Sequence, residues 1–132
     1  VRLIYDQRGS YYIGLLLGLP VLVVMLSGAF VYGRGMVDWF TLVQAQRAGI
    51  QRMQVAGYYD AVADQKVSSV LQTHGIDPAA VGVEATTTPQ SYGAVVYLRL
   101  TYVYQPNFLG VALPPLTLQA GSSAVTQNLP PP

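Results

Sequence analysis

Between Tyr11 and Gly33 lie 23 residues without one Asp, Glu, Lys, Arg or His. A run of that length crosses a hydrocarbon core, which takes roughly 20 apolar helical residues. Arg2, Asp6 and Arg8 precede it, and Arg34 and Asp38 follow. A secretory signal peptide has a shorter apolar core that ends at a small-residue cleavage site. Ser27-Gly28-Ala29 has the composition of such a site, but the apolar run continues through Phe30, Val31 and Tyr32. A retained membrane helix is therefore expected.

The rest of the chain is also poor in charge. Of 132 residues only 10% are charged, against roughly 25% in an average soluble domain. The hydrophobic fraction of 52% is far above what a disordered chain carries. A formal net charge of +1 with seven cations offers no field for nucleic acid. There are no cysteines and one histidine, His74, which removes disulfide scaffolds, thiolate sites and two-histidine metal sites. A second depletion runs from Ala85 to Pro132, 48 residues in which Arg99 is the only charge. Lipid does not explain a stretch rich in Thr, Ser, Gln, Tyr and Pro. An ordinary lumenal or extracellular domain is one reading; a surface covered by other copies of the chain is the sharper one, since a lone domain keeps surface charge to stay dispersed.

Hydrophobic spacing divides the chain into an N-terminal tail (1–10), a transmembrane or filament-core helix (11–33), an amphipathic continuation (34–57) and a small α+β layer (58–132). Met36, Phe40, Val43, Ile50 and Met53 recur at mostly helical spacing opposite Gln44, Gln51 and Gln54. One helix of ~45 residues, ~70 Å long, is expected to end near Gly57. Pro20 inside it removes a backbone donor and predicts a kink or local melting. A second helix is expected over 58–74, with Val62, Val67, Val70 and Leu71 as its stripe and Gly75 as its stop. Pro78 opens a short helical turn. The period then changes to two: 81–88 is β-rich, and 92–104 alternates with Ala94, Val96, Leu98, Leu100 and Tyr102 on one face. Residues 108–115 read as a loop, and 116–126 as a third strand bulged near Gly121. Pro130 to Pro132 read as a stiff, extended tail. The expected fold class is α+β: a long hydrophobic helix, a short second helix and a three-stranded antiparallel sheet packed on the long helix. Its core is expected to comprise Val96, Leu98, Leu100, Tyr102, Val67, Val70 and Leu71.

Catalytic chemistry finds no support. His74 falls in the last turn of the second helix, where imidazole commonly serves the helix end. Asp60 and Asp64 fall at that helix's start, where the dipole favours negative charge. Glu84 stands alone on a strand. Neither Asn107 nor Asn128 begins a glycosylation sequon, and no phosphate-loop pattern occurs. No catalytic, cofactor or metal residues are assigned.

The informative motif is in the apolar helix. Gly14 and Gly18 form a G-x-x-x-G, which lets helix backbones approach closely, and Ser27, Gly28 and Ala29 add a further small patch. A helix-packing interface of Gly14, Leu15, Gly18, Pro20, Val24, Ser27, Gly28 and Val31 is expected. Arg2 and Arg8 before the span and Arg34, Arg47 and Arg52 after it give no clear orientation vote. The charge-depleted Tyr/Thr sheet suits the outside of the cell.

The segment RGSYYIGLLLGLPVLVVMLSGAFVYGR, residues 8–34, resembles the N-terminus of TadE-like proteins, pseudopilin-like members of the tight-adherence branch of type IV pilus systems. Arg8, Gly9 and Pro20 match that pattern. VQAQRAGIQRM, LRLTYVYQPNFLG and LTLQAGSSAVTQ resemble the more C-terminal segments of that family. By register Gly14 stands where the family usually has a Glu, and no acid lies between Asp6 and Asp38. The resemblance implies a pilin-like fold and a structural subunit of a cell-surface filament. Such a subunit is inserted in the cytoplasmic membrane before assembly, handled by pilus assembly machinery and polymerised with copies of itself. A membrane-anchored minor component, assembly factor or extracytoplasmic binding domain that never polymerises is the alternative.

Overall fold

The computed structural model describes residues 7–127. Arg2, Asp6 and the Pro130–Pro132 tail lie outside the described residues. The first helix, α1, spans Gln7–Ala56, so residues 7–10 belong to it and not to a tail. Its helical assignment runs through Pro20 unbroken, which overturns the expected local melting. α1 ends at Gly57, whose φ of 82° is open to a residue without a Cβ. The Gly57 N–H donates to the Met53 carbonyl at 2.7 Å, a left-handed helix cap.

The second helix, α2, is shorter than expected, Ala61–Thr73. Asp60 caps it, its carboxylate accepting from the Ala63 N–H at 2.8 Å. Gly75 takes φ 79° after it, with Ile76 N–H donating to Leu71 and Gly75 N–H to Gln72. That is the Schellman arrangement, with Ile76 and Leu71 both buried as its apolar contact. Asp77 caps a single 3-10 turn at Pro78–Ala80. His74 serves the helix end, its Nδ1 lying 2.9 Å from the Val70 carbonyl.

Five strands complete the described residues. β1 is Val81–Ala85, β2 Val95–Tyr104, β3 Asn107–Phe108, β4 Val111–Ala112 and β5 Leu116–Val125. β1, β2 and β5 form one antiparallel sheet with β2 in the centre, and β3 and β4 form a small hairpin in what reads as loop. β2 pairs with β5 without interruption from Val95–Val125 to Tyr104–Leu116. The expected bulge at Gly121 is therefore absent. Gly121 pairs with Arg99, and a Cβ there would lie 3.4 Å from the Arg99 Cβ and Cγ. The glycine gives the arginine stem a place to lie across the strand.

The apolar face of β2 covers the helices as its alternation predicts. Val96, Leu98 and Leu100 are fully buried, and Val67 and Leu71 meet them from α2. Val70 and Tyr102 pack against this core from its margin. Each such burial contributes about 1.5–3 kcal/mol. Val62 is exposed and Ala63 takes the inward position instead. On α1 the buried stripe is Val31, Asp38, Leu42, Ala45, Gln46, Ile50 and Met53. Met36 and Phe40, which share the helical apolar spacing with Val43, Ile50 and Met53, point outward.

α1 and β5 run side by side in the same direction. Trp39 Nε1–H donates to the Gln119 carbonyl at 3.1 Å. The Gln46 side-chain amide donates to the Ser122 hydroxyl. The Gln54 carbonyl accepts from Gln127 N–H at 2.7 Å and the Thr126 hydroxyl at 3.2 Å. From Trp39 to Gln54 the helix advances about 22 Å at 1.5 Å per residue. From Gln119 to Thr126 the strand advances about 23 Å at 3.3 Å. The two elements therefore keep step, and polar groups of the last helical turn are satisfied by the strand end.

Candidate functional site

The 11–33 run of α1 carries apolar side chains all round and almost none of them is covered by the chain. It is long and apolar enough to cross a membrane. Its glycines divide from those farther along the helix. A Cβ on Gly49 would lie 2.6 Å from Leu98 Cδ2 and 2.8 Å from Val67 Cγ2, and one on Gly35 3.4 Å from the Tyr104 ring. The fold itself requires those two positions small. A Cβ on Gly14, Gly18, Gly28 or Gly33 would meet nothing within 4 Å. Each helix-interior glycine costs roughly 0.5–1 kcal/mol relative to Ala, with no return inside this chain.

Gly14 and Gly18 form the floor of an open notch flanked by Ser10, Tyr11, Leu15, Leu19 and Leu22. Beyond the first charge, at Arg34, the same side of α1 stays apolar. Met36 is 61% exposed and Phe40 53%, with Val37 and Trp39 also exposed. At about 100° per residue, Gly14, Gly18, Met36 and Phe40 fall within about 80° of one another, and the buried stripe centres about 120° away. This face extends ~39 Å from Gly14 to Phe40, longer than the ~30 Å of hydrocarbon in a bilayer.

The expected interface thus separates into two sets. Gly14, Leu15 and Gly18 lie together on the exposed face. Pro20, Val24, Ser27, Gly28 and Val31 lie on the side of the sheet. Val31 is 8% exposed and its carbonyl accepts the Tyr104 hydroxyl at 3.2 Å, so it belongs to the chain's own fold. Ser27 donates to the Val23 carbonyl at 2.7 Å and, with Leu26, Phe30 and Val31, lines a groove under Asn107, Phe108 and Leu109. Met36 and Phe40 were legible as helical apolar positions, but spacing alone does not tell the sheet side from the open side.

Between Gly14 and Phe40 the two charged side chains, Arg34 and Asp38, lie off this face. Asp38 is buried, 3.5 Å from Arg34. Burial pushes its carboxyl above the usual range, and the Arg34 charge opposes that. Arg52 holds Asp60 at 2.8 Å. That hydrogen bond pulls the Asp60 carboxyl down, with a smaller contribution from the Ala63 N–H, and pushes Arg52 up. The Tyr59 hydroxyl, raised by burial and by its bond to Asp64, stays protonated. Glu84 pairs with Arg99 on the outer face of the sheet. Among the described residues no three His, Cys, Asp or Glu side chains cluster to hold a metal. Comparison with protein-family profiles, curated proteins and solved structures gives no match.

Proposed function

We propose that this chain is a membrane-inserted structural subunit that polymerises through α1 into a pilus-like, cell-surface filament. One observation carries the reading. Among the described residues nothing packs on Gly14 or Gly18, and they lie on an apolar helix face that continues past the first charge to Met36 and Phe40. Lipid accounts for exposed apolar side chains within the span, but it rewards neither helix-interior glycine nor an apolar stripe above the headgroups. A second helix rewards both: small residues let backbones close up, and Met36 and Phe40 leave water. The charge-poor outer sheet fits a layer of neighbouring copies. Membrane lipid already solvates the span, so leaving it for a filament core gains packing more than hydrophobic transfer. Extraction then needs work from assembly machinery.

The test is electron microscopy of sheared, detergent-free cell-surface material from cells producing the chain. The expected result is filaments that contain it. If the chain stays wholly in the detergent-soluble membrane fraction, it is an anchored component that does not polymerise, and the proposal fails.

A further inference from the structure

We infer that the 107–112 hairpin, β3 and β4, inserts its tip into the bilayer leaflet that faces the sheet, as a second and shallower membrane contact beside α1. The inference rests on reading α1 as a bilayer span.

Height is the first argument. Asn107, Phe108 and Leu109 of the hairpin line a groove with Leu26, Ser27, Phe30 and Val31, at the end of the sheet, where Tyr104 reaches the Val31 carbonyl. Leu26 and Val31 precede Arg34, the first charge after the span, by about 12 and 5 Å along the axis at 1.5 Å per residue. That is the depth at which amphipathic elements bury an apolar face at the boundary of headgroups and acyl chains, about 5–10 Å. Whenever α1 spans, lipid occupies this level around it.

Composition is the second. No Asp, Glu, Lys, Arg or His occurs after Arg99, so nothing on the hairpin resists desolvation by charge. Leu109 is 69% and Val111 62% exposed. Leu109 lines one groove with Phe108 and with exposed Leu26 and Phe30 of the helix.

Backbone conformation is the third. Leu109 has φ 50° and Gly110 φ 81°, the two positive values of a tight hairpin turn that favours Asn-Gly or Asp-Gly. A leucine there is strained where a glycine is not. Its side chain is largely uncovered, so the chain's own packing does not offset that. An apolar residue held in strain at an exposed tip is explained by an apolar environment outside the protein. The hairpin stands on the sheet side of α1, away from Gly14 and Gly18, so lipid on one side and a neighbouring helix on the other are compatible.

The chain has no cysteine, so single cysteines at Leu109, Val23 and Thr87 can each carry an environment-sensitive fluorophore. The full-length protein is placed at low density in phosphatidylcholine vesicles. Quenching by iodide in the water is compared with quenching by nitroxide on the acyl chains. Val23 reports the span and Thr87, exposed on the loop after β1, reports water. The expected result is nitroxide quenching and loss of iodide quenching at both Val23 and Leu109, with iodide quenching kept at Thr87. Iodide quenching at Leu109 with Val23 in lipid overturns the hairpin contact and leaves the span intact. Iodide quenching at Val23 removes the span, and the inference with it. Protection of Leu109 from both quenchers means that protein covers the tip, which also overturns it. Val111→Cys repeats the measurement one residue past the turn, and Trp39 emission checks that each variant is folded.

Discussion

Gly49→Ala probes the one point where α1, the sheet and α2 meet. The new Cβ would lie 2.6 Å from Leu98 Cδ2 and 2.8 Å from Val67 Cγ2, well inside ordinary van der Waals contact. Neither neighbour retreats easily. Leu98 is fully buried and Val67 nearly so, and a β-branched valine on a helix is held to one side-chain rotamer. Overpacking of this kind costs about 1–3 kcal/mol. Replacing a helix-interior glycine returns about 0.8–1.0 kcal/mol of propensity, so the expected net loss is about 0–2 kcal/mol. Gly33→Ala is the reference. A Cβ there meets nothing within 4 Å, so it keeps the propensity gain with no opposing clash. The two variants should differ by about 1–3 kcal/mol, all of it packing. Chemical unfolding in mild detergent measures the difference. Trp39, the only tryptophan, reports it through its contact with β5. Equal stability of the two variants would refute the close approach of α1 to both β2 and α2 at Gly49.

Three further outcomes are expected. Gly14→Ala with Gly18→Ala should leave the detergent-solubilised monomer as stable as the parent or stabler, since neither Cβ meets a neighbour, while filament yield in the sheared fraction falls; unchanged yield removes these glycines from the assembly face. Asp60→Asn keeps a capping oxygen but loses the ion pair with Arg52, costing about 0–1 kcal/mol, whereas Asp60→Ala also loses the cap, about 1 kcal/mol more. Because the folded-state carboxyl titrates below its ordinary 3.8, its contribution is complete above that value and is lost as pH falls through the depressed one; acid titration of Asp60→Ala should lack this step. Leu109→Asn, which relieves a left-handed leucine, should raise stability in detergent by about 1 kcal/mol, and a loss would mean that the leucine packs within the fold.

The parts of the fold governed by a local period were readable. The alternation of β2 assigned Val96, Leu98 and Leu100 to the core because a strand has only two faces, and one of them was wholly apolar. Helix ends were readable where a glycine or aspartate performs a local task, as at Gly57, Gly75 and Asp60. What failed was the choice of side on α1. Over 34–40 both the sheet-facing and the open sides carry apolar residues, so spacing grouped Met36 and Phe40 with Ile50 and Met53, while Gly35, Asp38 and Gln46 faced the sheet. The same limit applied to the candidate interface. Spacing put Gly14 and Gly18 on one side of the helix, but nothing in the sequence says that Tyr104 reaches back across 73 positions to cover Val31. The hairpin was hidden because Leu109 occupies a turn position where Asn or Asp would have signalled it.

The in-step pairing of α1 with β5 has a mechanical consequence. The contacts at Gln119, Ser122 and Thr126 are spread along the helix axis, and β5 is continuously bonded to β2. A pull along α1 loads them in shear, all at once, where a pull across the helix would peel them one at a time. A subunit joined to its neighbours through α1 would therefore carry tension along its strongest direction, with no hinge between the element that is pulled and the layer it carries.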